Sequence, residues 1–525
     1  MITYKKNKVI SPKVFVIIAS GFSLMVSIVV IVFAFNFNSG FAMNTIEIDY
    51  DNLKTKQPTD KIQIYFNKGA ESYYHKGNSR IAKGNVDFSK IIVERIENSQ
   101  QTIDLAVMYL EDLEIINALK IADIRGVKIR IVTDQEQFEL LKSFFVGTNV
   151  QIIDNNAGRL LEGLGDVKSI MHYKFGLIDH GLENQAYLIT SSANWTPKGF
   201  DVNANNLVII QDQPLIKAYL DEFEQMWEGK FNRNKDMTKH RGEIFEIDGR
   251  IVELWMSPGE DPFSSFLMRY VNLFDQAKES VYFATFNFTL PRLSQELSRK
   301  YQEGIALKGI SNDGSWDING SVLFDMRGVE HYRQFSPWQK IAYEDIRHDA
   351  IEGESSLHYK YFVIDEKITI TGASNPTVSA VYSNDEDVLI IHDPLIANEF
   401  KQNIFWHFER YGGLTERSKI RIADFDDENE TVTLENLTEE SIFLNGWKIL
   451  SVEGVYVSDE FSPKNEFYLT EEHILKPGQK LNIQLTDNFI TNNCPEDDYP
   501  NSNSLDDGEI YLFDGNDLLH HMVWY

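Results

Sequence analysis

Apolar and polar positions follow three different patterns along the chain. Val14 to Phe35 (VFVIIASGFSLMVSIVVIVFAF) is a run of 22 residues without a charge. As a helix rising 1.5 Å per residue it is about 33 Å long, enough to cross a ~30 Å hydrocarbon core. From about residue 61 to residue 421, amphipathic runs alternate with short, β-branched apolar runs. That pattern predicts α/β units whose strands are covered by helices. From about Ile422 the pattern becomes simple alternation. Val432, Leu434, Ile442, Leu444, Trp447 and Ile449 fit strands with one buried face. Pro477-Gly478 turns into the strand LNIQL, and Asp514-Gly515-Asn516-Asp517 reads as a hairpin turn between Ile510–Phe513 and Met522–Trp524. Short strands with turns over about 100 residues predict a β-sandwich.

The α/β region repeats itself. QTIDLAVMYL (101–110) corresponds to ESVYFATFNF (279–288), each preceded by an amphipathic run, 91–99 and 266–278. RGVKIRIVTD (125–134) corresponds to EGIALKGISND (303–313), and IQIYF (62–66) to VELWM (252–256). Thr102 to Ser280 and Gly126 to Gly304 are both 178 residues apart. Several matches in one order at a nearly constant offset indicate a duplication.

Each copy ends in H-x-K-x-x-x-x-D: His172, Lys174 and Asp179 in the first, His358, Lys360 and Asp365 in the second. Ser191-Ser192-Ala193-Asn194 and Gly372-Ala373-Ser374-Asn375 follow. On a strand, residues i and i+2 share a face, so His and Lys point together. The Asp, an odd step of seven away, points to the opposite face and is expected to hold a turn. Packing the copies about a pseudo-twofold axis brings two His and two Lys to one place. Asn194 and Asn375 can donate amide hydrogens to the same anion. Such a set suits a phosphodiester: cations neutralise the phosphoryl oxygens, one imidazole attacks and the other protonates the leaving oxygen.

These residues resemble the phospholipase D superfamily, over about residues 61–410. The resemblance implies a duplicated α/β sandwich with one active site shared by two lobes. It also implies a covalent phosphohistidine intermediate, and no metal or other cofactor. Two departures stand in the G-S-x-N step, Ser191 for Gly and Ala373 for Ser. An acid that receives the His ring hydrogen commonly follows; Glu386 matches it in the second copy, and alignment puts Asn205 there in the first. On that alignment His358 has the carboxylate and His172 the amide. A carboxylate favours the imidazolium, so His172 is expected to be the nucleophile and His358 the general acid. The C-terminal run VTLENLTEESIFLNGWKI, with LKPGQKL and DDGEIYLFDGNDLLHHMVWY, resembles a lamin tail domain, which implies an immunoglobulin-like sandwich.

Charge sharpens the boundaries. The chain has 525 residues and a formal charge of −29, distributed as +4 over residues 1–45, −14 over 46–421 and −19 over 422–525. The expected organisation is a basic cytoplasmic segment (1–13), a transmembrane anchor (14–35), a tether (36–60), two lobes (61–240 and 241–421) and the β-sandwich (422–525). The four lysines ahead of the apolar run place the remainder outside the membrane, at the cell surface. Cleavage of the run as a signal, near Gly40-Phe41-Ala42, would give a secreted form instead. A single Cys, Cys494, excludes a disulfide framework and Cys-rich zinc sites. The acidic body argues against a basic coat for nucleic acid.

Three functions compete. One is a phospholipase D acting on phospholipid beside the membrane that anchors it. The second is an extracytoplasmic nuclease of the same superfamily, a reading the lamin tail resemblance favours. The third is an inactive binding or scaffold protein, against which both intact His/Lys pairs argue. A surface partner is expected for the C-terminal domain. Its acidic clusters at 424–430 and 495–500 lack EF-hand spacing and read as solvated loops.

Overall fold

The computed structural model describes residues 48–155, 169–259, 265–312, 321–323, 326, 345–348, 356–426, 429–453, 465–485, 508–514 and 519–524. The apolar run 14–35 lies outside them; among the described residues no helix is long and apolar enough to cross a membrane. Cys494 and the acidic cluster at 495–500 also lie outside.

The first lobe is a mixed sheet of β1 (Ile62–Phe66), β2 (Thr102–Val107), β3 (Lys128–Thr133), β4 (Gln151–Asp154), β5 (Lys174–Ile178), β6 (Tyr187–Ser191) and β7 (Asn206–Ile210). Its strand order is β1-β7-β6-β5-β2-β3-β4. The second lobe contains β8 (Arg241–Ile247), β9 (Arg250–Ser257), β10 (Ser280–Thr285), β11 (Ala306–Ser311), β12 (Ile346–His348), β13 (Lys360–Ile364), β14 (Ile368–Gly372) and β15 (Glu386–His392). Its order, β8-β9-β15-β14-β13-β10-β11-β12, is that of the first lobe with β8 added at one edge. The duplication read from the sequence is therefore a duplication of topology. β1 and β9, the weakest sequence match, hold equivalent places beside β7 and β15.

Both faces of each sheet are covered, which is why the strands read as apolar runs. Helices Phe88–Glu97 and Leu113–Ile124 pack on the outer face of the first sheet through Ile92, Ile96, Ile115 and Leu119. Helices Phe266–Gln276 and Pro291–Gln302 cover the second sheet through Tyr270, Phe274, Leu293 and Leu297. Between the sheets lies one shared core. It contains Phe175 and Leu177 of β5, Tyr361 and Val363 of β13, Tyr219 and Phe223 of helix Gln213–Trp227, and Phe400 and Ile404 of helix Pro394–Arg410. Those two helices begin alike: Asp212 and Asp393 are N-caps, accepting from Leu215 N (3.0 Å) and Leu395 N (2.7 Å), with Pro in the first turn. The matching Pro-Leu-Ile steps, 214–216 and 394–396, are a further repeat signal that the sequence reading passed over.

The C-terminal region is all-β. It forms a three-stranded, a two-stranded and a four-stranded sheet around Val432, Leu434, Leu444, Trp447, Ile449, Ile483 and Leu512. Strands Gly508–Phe513 and Leu519–Trp524 pair antiparallel, as the turn signal between them required.

Candidate active site

Each H-x-K step lies just before or at the start of a central strand, β5 or β13. Tyr173 and Tyr359 enter the shared core, and the alternate residues are left to the site. Lys174 and Lys360 are 0% and 2% exposed, and each Nζ donates to the carbonyl of its own histidine at 2.6 Å, His172 O and His358 O. The histidines are 8% and 9% exposed.

What joins the lobes is a reciprocal pair of short parallel bridges. Met171 pairs with Asp385, and Leu357 with Ala204. His172 N donates to Asp385 O, and Asp385 N to Ile170 O; His358 N donates to Ala204 O, and Ala204 N to Ser356 O (2.9–3.0 Å). The residue after each bridge therefore faces the histidine of the other copy. His172 Nδ1 lies 3.1 Å from Glu386 Oε2. His358 Nδ1–H donates to Asn205 Oδ1 at 2.9 Å.

This corrects the expected pairing, which gave Glu386 to His358 and Asn205 to His172. The alignment of Asn205 with Glu386 holds, since both follow equivalent bridges. The partners are exchanged because each copy lends its acid or amide across the interface.

The two motif departures follow the same asymmetry. Ser192 Oγ donates to Asn205 Oδ1 (2.8 Å), orienting the amide, and Asn205 Nδ2 donates to Gly199 O (2.9 Å). Its counterpart Ala373 has no hydroxyl; Glu386 Oε1 instead receives Asn384 Nδ2 at 2.8 Å. Gly372 has φ +142° and a Cβ there would meet the Asp387 carbonyl, so glycine is required. Ser191 keeps a negative φ and donates to Ala193 O (3.0 Å).

Asp179 and Asp365 stand away from the histidines, as expected. Each sits just past its strand at φ +52° and +51°. The Asp179 carboxylate accepts from Gln100, Gln101 and Thr102 N (2.7–3.1 Å), and that of Asp365 from Lys278, Glu279 and Ser280 N (2.7–3.0 Å). Each fixes the entry to the neighbouring strand. The side chain is turned by a left-handed backbone step, and strand parity is not the cause.

Asn194 and Asn375 occupy equivalent turns, their carbonyls accepting from Thr196 N (2.9 Å) and Thr377 N (2.8 Å). The buried Oδ1 of each lacks a hydrogen-bond partner among the described residues. Two features escaped the sequence reading. Asp387 receives Tyr219 OH (2.7 Å) and Thr190 Oγ1 (2.8 Å) across the interface. Phe286 packs its ring 4.7 Å from that of His358, with Lys360 Nζ 5.0 Å away.

Burial dominates the electrostatics. It pushes the Lys174 ammonium down to about 7, against the opposing pull of Glu386, Asp387 and Asp134. Burial and the Lys174 charge carry Lys360 well below its ordinary value. Burial lowers His172 while Glu386 raises it, with a net fall. His358 falls further, through burial and then the charges of Lys360 and Lys174. Burial raises the Glu386 carboxyl, but His172 and Asn384 overcome it and hold the group below its usual range. The resting site is thus starved of protons and short of negative charge, which an anionic ligand supplies.

With Nδ1 of His172 facing Glu386 and Nδ1 of His358 bonded to Asn205, Nε2 is the nitrogen each imidazole can present to a substrate. Two such rings between two buried lysines form a centre suited to phosphoryl transfer. The chain belongs to the phospholipase D-like family: the profile described as "Cardiolipin synthase, PLD-like domain" matches residues 92–227 and 270–408, more than half its length. It stops short of the C-terminal β region. The chain is 28% identical over 141 residues to the mitochondrial cardiolipin hydrolase of Xenopus laevis, covering 27% of this chain and 61% of that protein. It is 30% identical over 135 residues to a phospholipase D of Rickettsia prowazekii (strain Madrid E), covering 26% and 60%. It thus spans about three fifths of the length of these relatives. Among solved structures, the phosphatidylserine synthase of Haemophilus influenzae Rd KW20 aligns with 69% of this chain and 90% of its own, at 13% identity and a TM-score of 0.45.

Proposed function

We propose that the protein is a membrane-anchored phosphodiesterase that needs no metal and hydrolyses phospholipid through a phosphohistidine intermediate. The observation that carries this reading is the crossed pair of half-sites, each with one imidazole and one buried lysine. The substrate phosphate binds between Lys174 and Lys360, with the amides of Asn194 and Asn375 beside it. Its negative charge raises the proton affinity of the histidines and lysines around it, so His358 enters the reaction protonated.

Both histidines are held below their ordinary proton affinity, so resting neutrality does not choose the nucleophile. The charge each gains or loses does. An imidazole that attacks phosphorus becomes positive, and a carboxylate on its Nδ1–H stabilises that charge. A general acid loses positive charge and is served by a neutral partner. His172, facing Glu386, is therefore the nucleophile, and His358, facing Asn205, the acid. These are the roles expected from the sequence, on the opposite ground. His172 Nε2 bonds to phosphorus as the bond to the leaving oxygen breaks, and the His358 Nε2 proton passes to that oxygen. His358 then takes a proton from water, whose oxygen attacks phosphorus and breaks the P–N bond. A phosphomonoester is released.

The acidic body and the names of the curated relatives support lipid over nucleic acid. The run 14–35 is read as the anchor, with the catalytic part outside the membrane. The C-terminal β region is read as a lamin tail-like sandwich that engages a surface partner. Full-length protein in phospholipid vesicles, assayed beside plasmid DNA with EDTA in both, tests the proposal. Phospholipid turnover that survives EDTA is expected. Cleavage of DNA alone would replace the lipid reading with the nuclease one. Activity lost to EDTA and restored by Mg²⁺ or Zn²⁺ would remove the mechanism.

A further inference from the structure

The connection between the lobes supplies a fully buried charge at the edge of the site. Lys235 follows the turn Asn232–Asn234, and its side chain is 0% exposed. Its ammonium is ion-paired with Glu222 of helix Gln213–Trp227 and with Asp385 Oδ1 at 2.7 Å. It also donates to Ser257 O (3.0 Å) and Tyr173 OH (3.3 Å). Tyr173 OH in turn donates to Glu222 Oε1 (2.6 Å), and Asp385 accepts from Asn232 N (2.8 Å) and Nδ2 (3.1 Å).

Two of these groups are direct neighbours of the chemistry. Tyr173 lies between His172 and Lys174. Asp385 lies beside Glu386, and its backbone makes the bridge to Ile170 and His172. Lys235 thus ties the strand carrying His172 to the strand carrying Glu386. The other half-site is built differently. Ala204 stands in the place of Asp385. Tyr359 OH meets the His407 ring (3.2 Å), and Asn205 N donates to the uncharged Asn67 Oδ1 (2.7 Å).

We infer that Lys235 is a positioning residue that holds Glu386 in register with His172, so that the connection between the repeats fixes which histidine is the nucleophile. The inference rests on the phosphohistidine reading above. Without the ammonium, Glu222 and Asp385 lose their direct ion pair, and the charge of Arg241 offsets their mutual repulsion less closely; their separation moves the strand that carries Glu386.

The test is a double-mutant cycle on the full-length chain. Bis(4-nitrophenyl) phosphate serves as probe, because its leaving group needs no acid and reports the nucleophilic step alone. The rate of phosphohistidine formation is measured by rapid quench in the parent, Lys235→Met, Glu386→Gln and the double variant. Lys235→Met is expected to slow the step roughly tenfold to a hundredfold, with KM near that of the parent. In the Glu386→Gln background the same change is expected to cost less than about twofold, because the contact it protects is already gone. Equal effects in both backgrounds overturn the inference. Asp385→Asn keeps the side-chain shape and removes the anion that Lys235 grips. It goes through the same cycle and decides between the same two outcomes if Lys235→Met fails to fold. A parent chain that forms no phosphohistidine removes the functional reading and this inference with it; additive effects in a phosphorylated parent remove the inference alone.

Discussion

The two halves of the site share a backbone and differ in what holds it. Around His172 the partner is the carboxylate of Glu386, steadied by Asn384 and backed by the ion-paired Lys235, Asp385 and Glu222. Around His358 the partner is the amide of Asn205, steadied by the Ser192 hydroxyl and backed by Asn67. In the proposed mechanism the charged half stabilises positive charge that appears during the reaction, and the neutral half orients a ring that must give its proton away. Duplication thus supplied two equal imidazoles, and a few substitutions among the residues behind them made them unequal.

The sharpest way to break the comparison is to remove each histidine in turn. His172→Ala is expected to abolish the acid-quenched phosphopeptide. His358→Ala is expected to slow lipid turnover by about 10²–10⁴, the usual worth of a general acid. It should nonetheless still be phosphorylated on His172 by bis(4-nitrophenyl) phosphate. Label on the His358 peptide, with none on His172, would show the roles reversed.

The lysines test the symmetric part. Lys174→Ala and Lys360→Ala should each lower turnover by about 10²–10³, since each removes a charge facing the developing phosphorane, worth ~3–4 kcal/mol. Their cost to the resting protein has a definite sign. Lys174 titrates at about 7 in the fold, and an unfolded lysine near its ordinary 10.5. Between those values the unfolded chain binds more protons, so stability should rise as pH rises from about 7 to about 10. Lys174→Met should flatten that slope and raise the melting temperature at pH 7. A melting temperature that falls as pH rises through this window contradicts the buried, proton-poor lysine.

A milder change converts one half toward the other. Asn205→Asp gives His358 a carboxylate and raises its proton affinity. The acid then stays protonated to higher pH, so the basic limb of the kcat profile should move upward, by about one pH unit. An unmoved limb would mean that His358 does not titrate in catalysis.

The duplication was legible because strand and helix periodicities are local and survive divergence. The H-x-K steps were legible too, since spacing within one strand fixes them; Asp179 and Asp365 were expected at a turn, but the left-handed step that turns them was not legible. The partners of the histidines were not. A bridge such as Met171 to Asp385 joins residues more than two hundred positions apart, and aligning the copies shows which residues correspond without showing whom they face. Lys235 was invisible for a related reason: it lies near the end of the segment read as the first lobe, outside both matched motifs, and only burial gives its charge a meaning.

The smallest effect on chemistry is expected where the two halves are most alike. Asp179 and Asp365 each gather three backbone N–H groups onto one carboxylate, at the end of a strand that begins with the motif lysine. Hydrogen bonds to a charged acceptor are worth about 1.5–3 kcal/mol net, and the part-buried and exposed donors here regain some of that from water. Alanine also suits the left-handed backbone at these positions less well than aspartate. Asp179→Ala and Asp365→Ala should therefore lower the melting temperature by several degrees each. The lysine at the other end of the strand is held by its own histidine's carbonyl, which neither substitution touches. Turnover per folded molecule, from active-site titration with the quenched phosphopeptide, should stay within about twofold of the parent. An Asp179→Ala protein that melts like the parent and turns over slowly would move this residue from the scaffold into the chemistry.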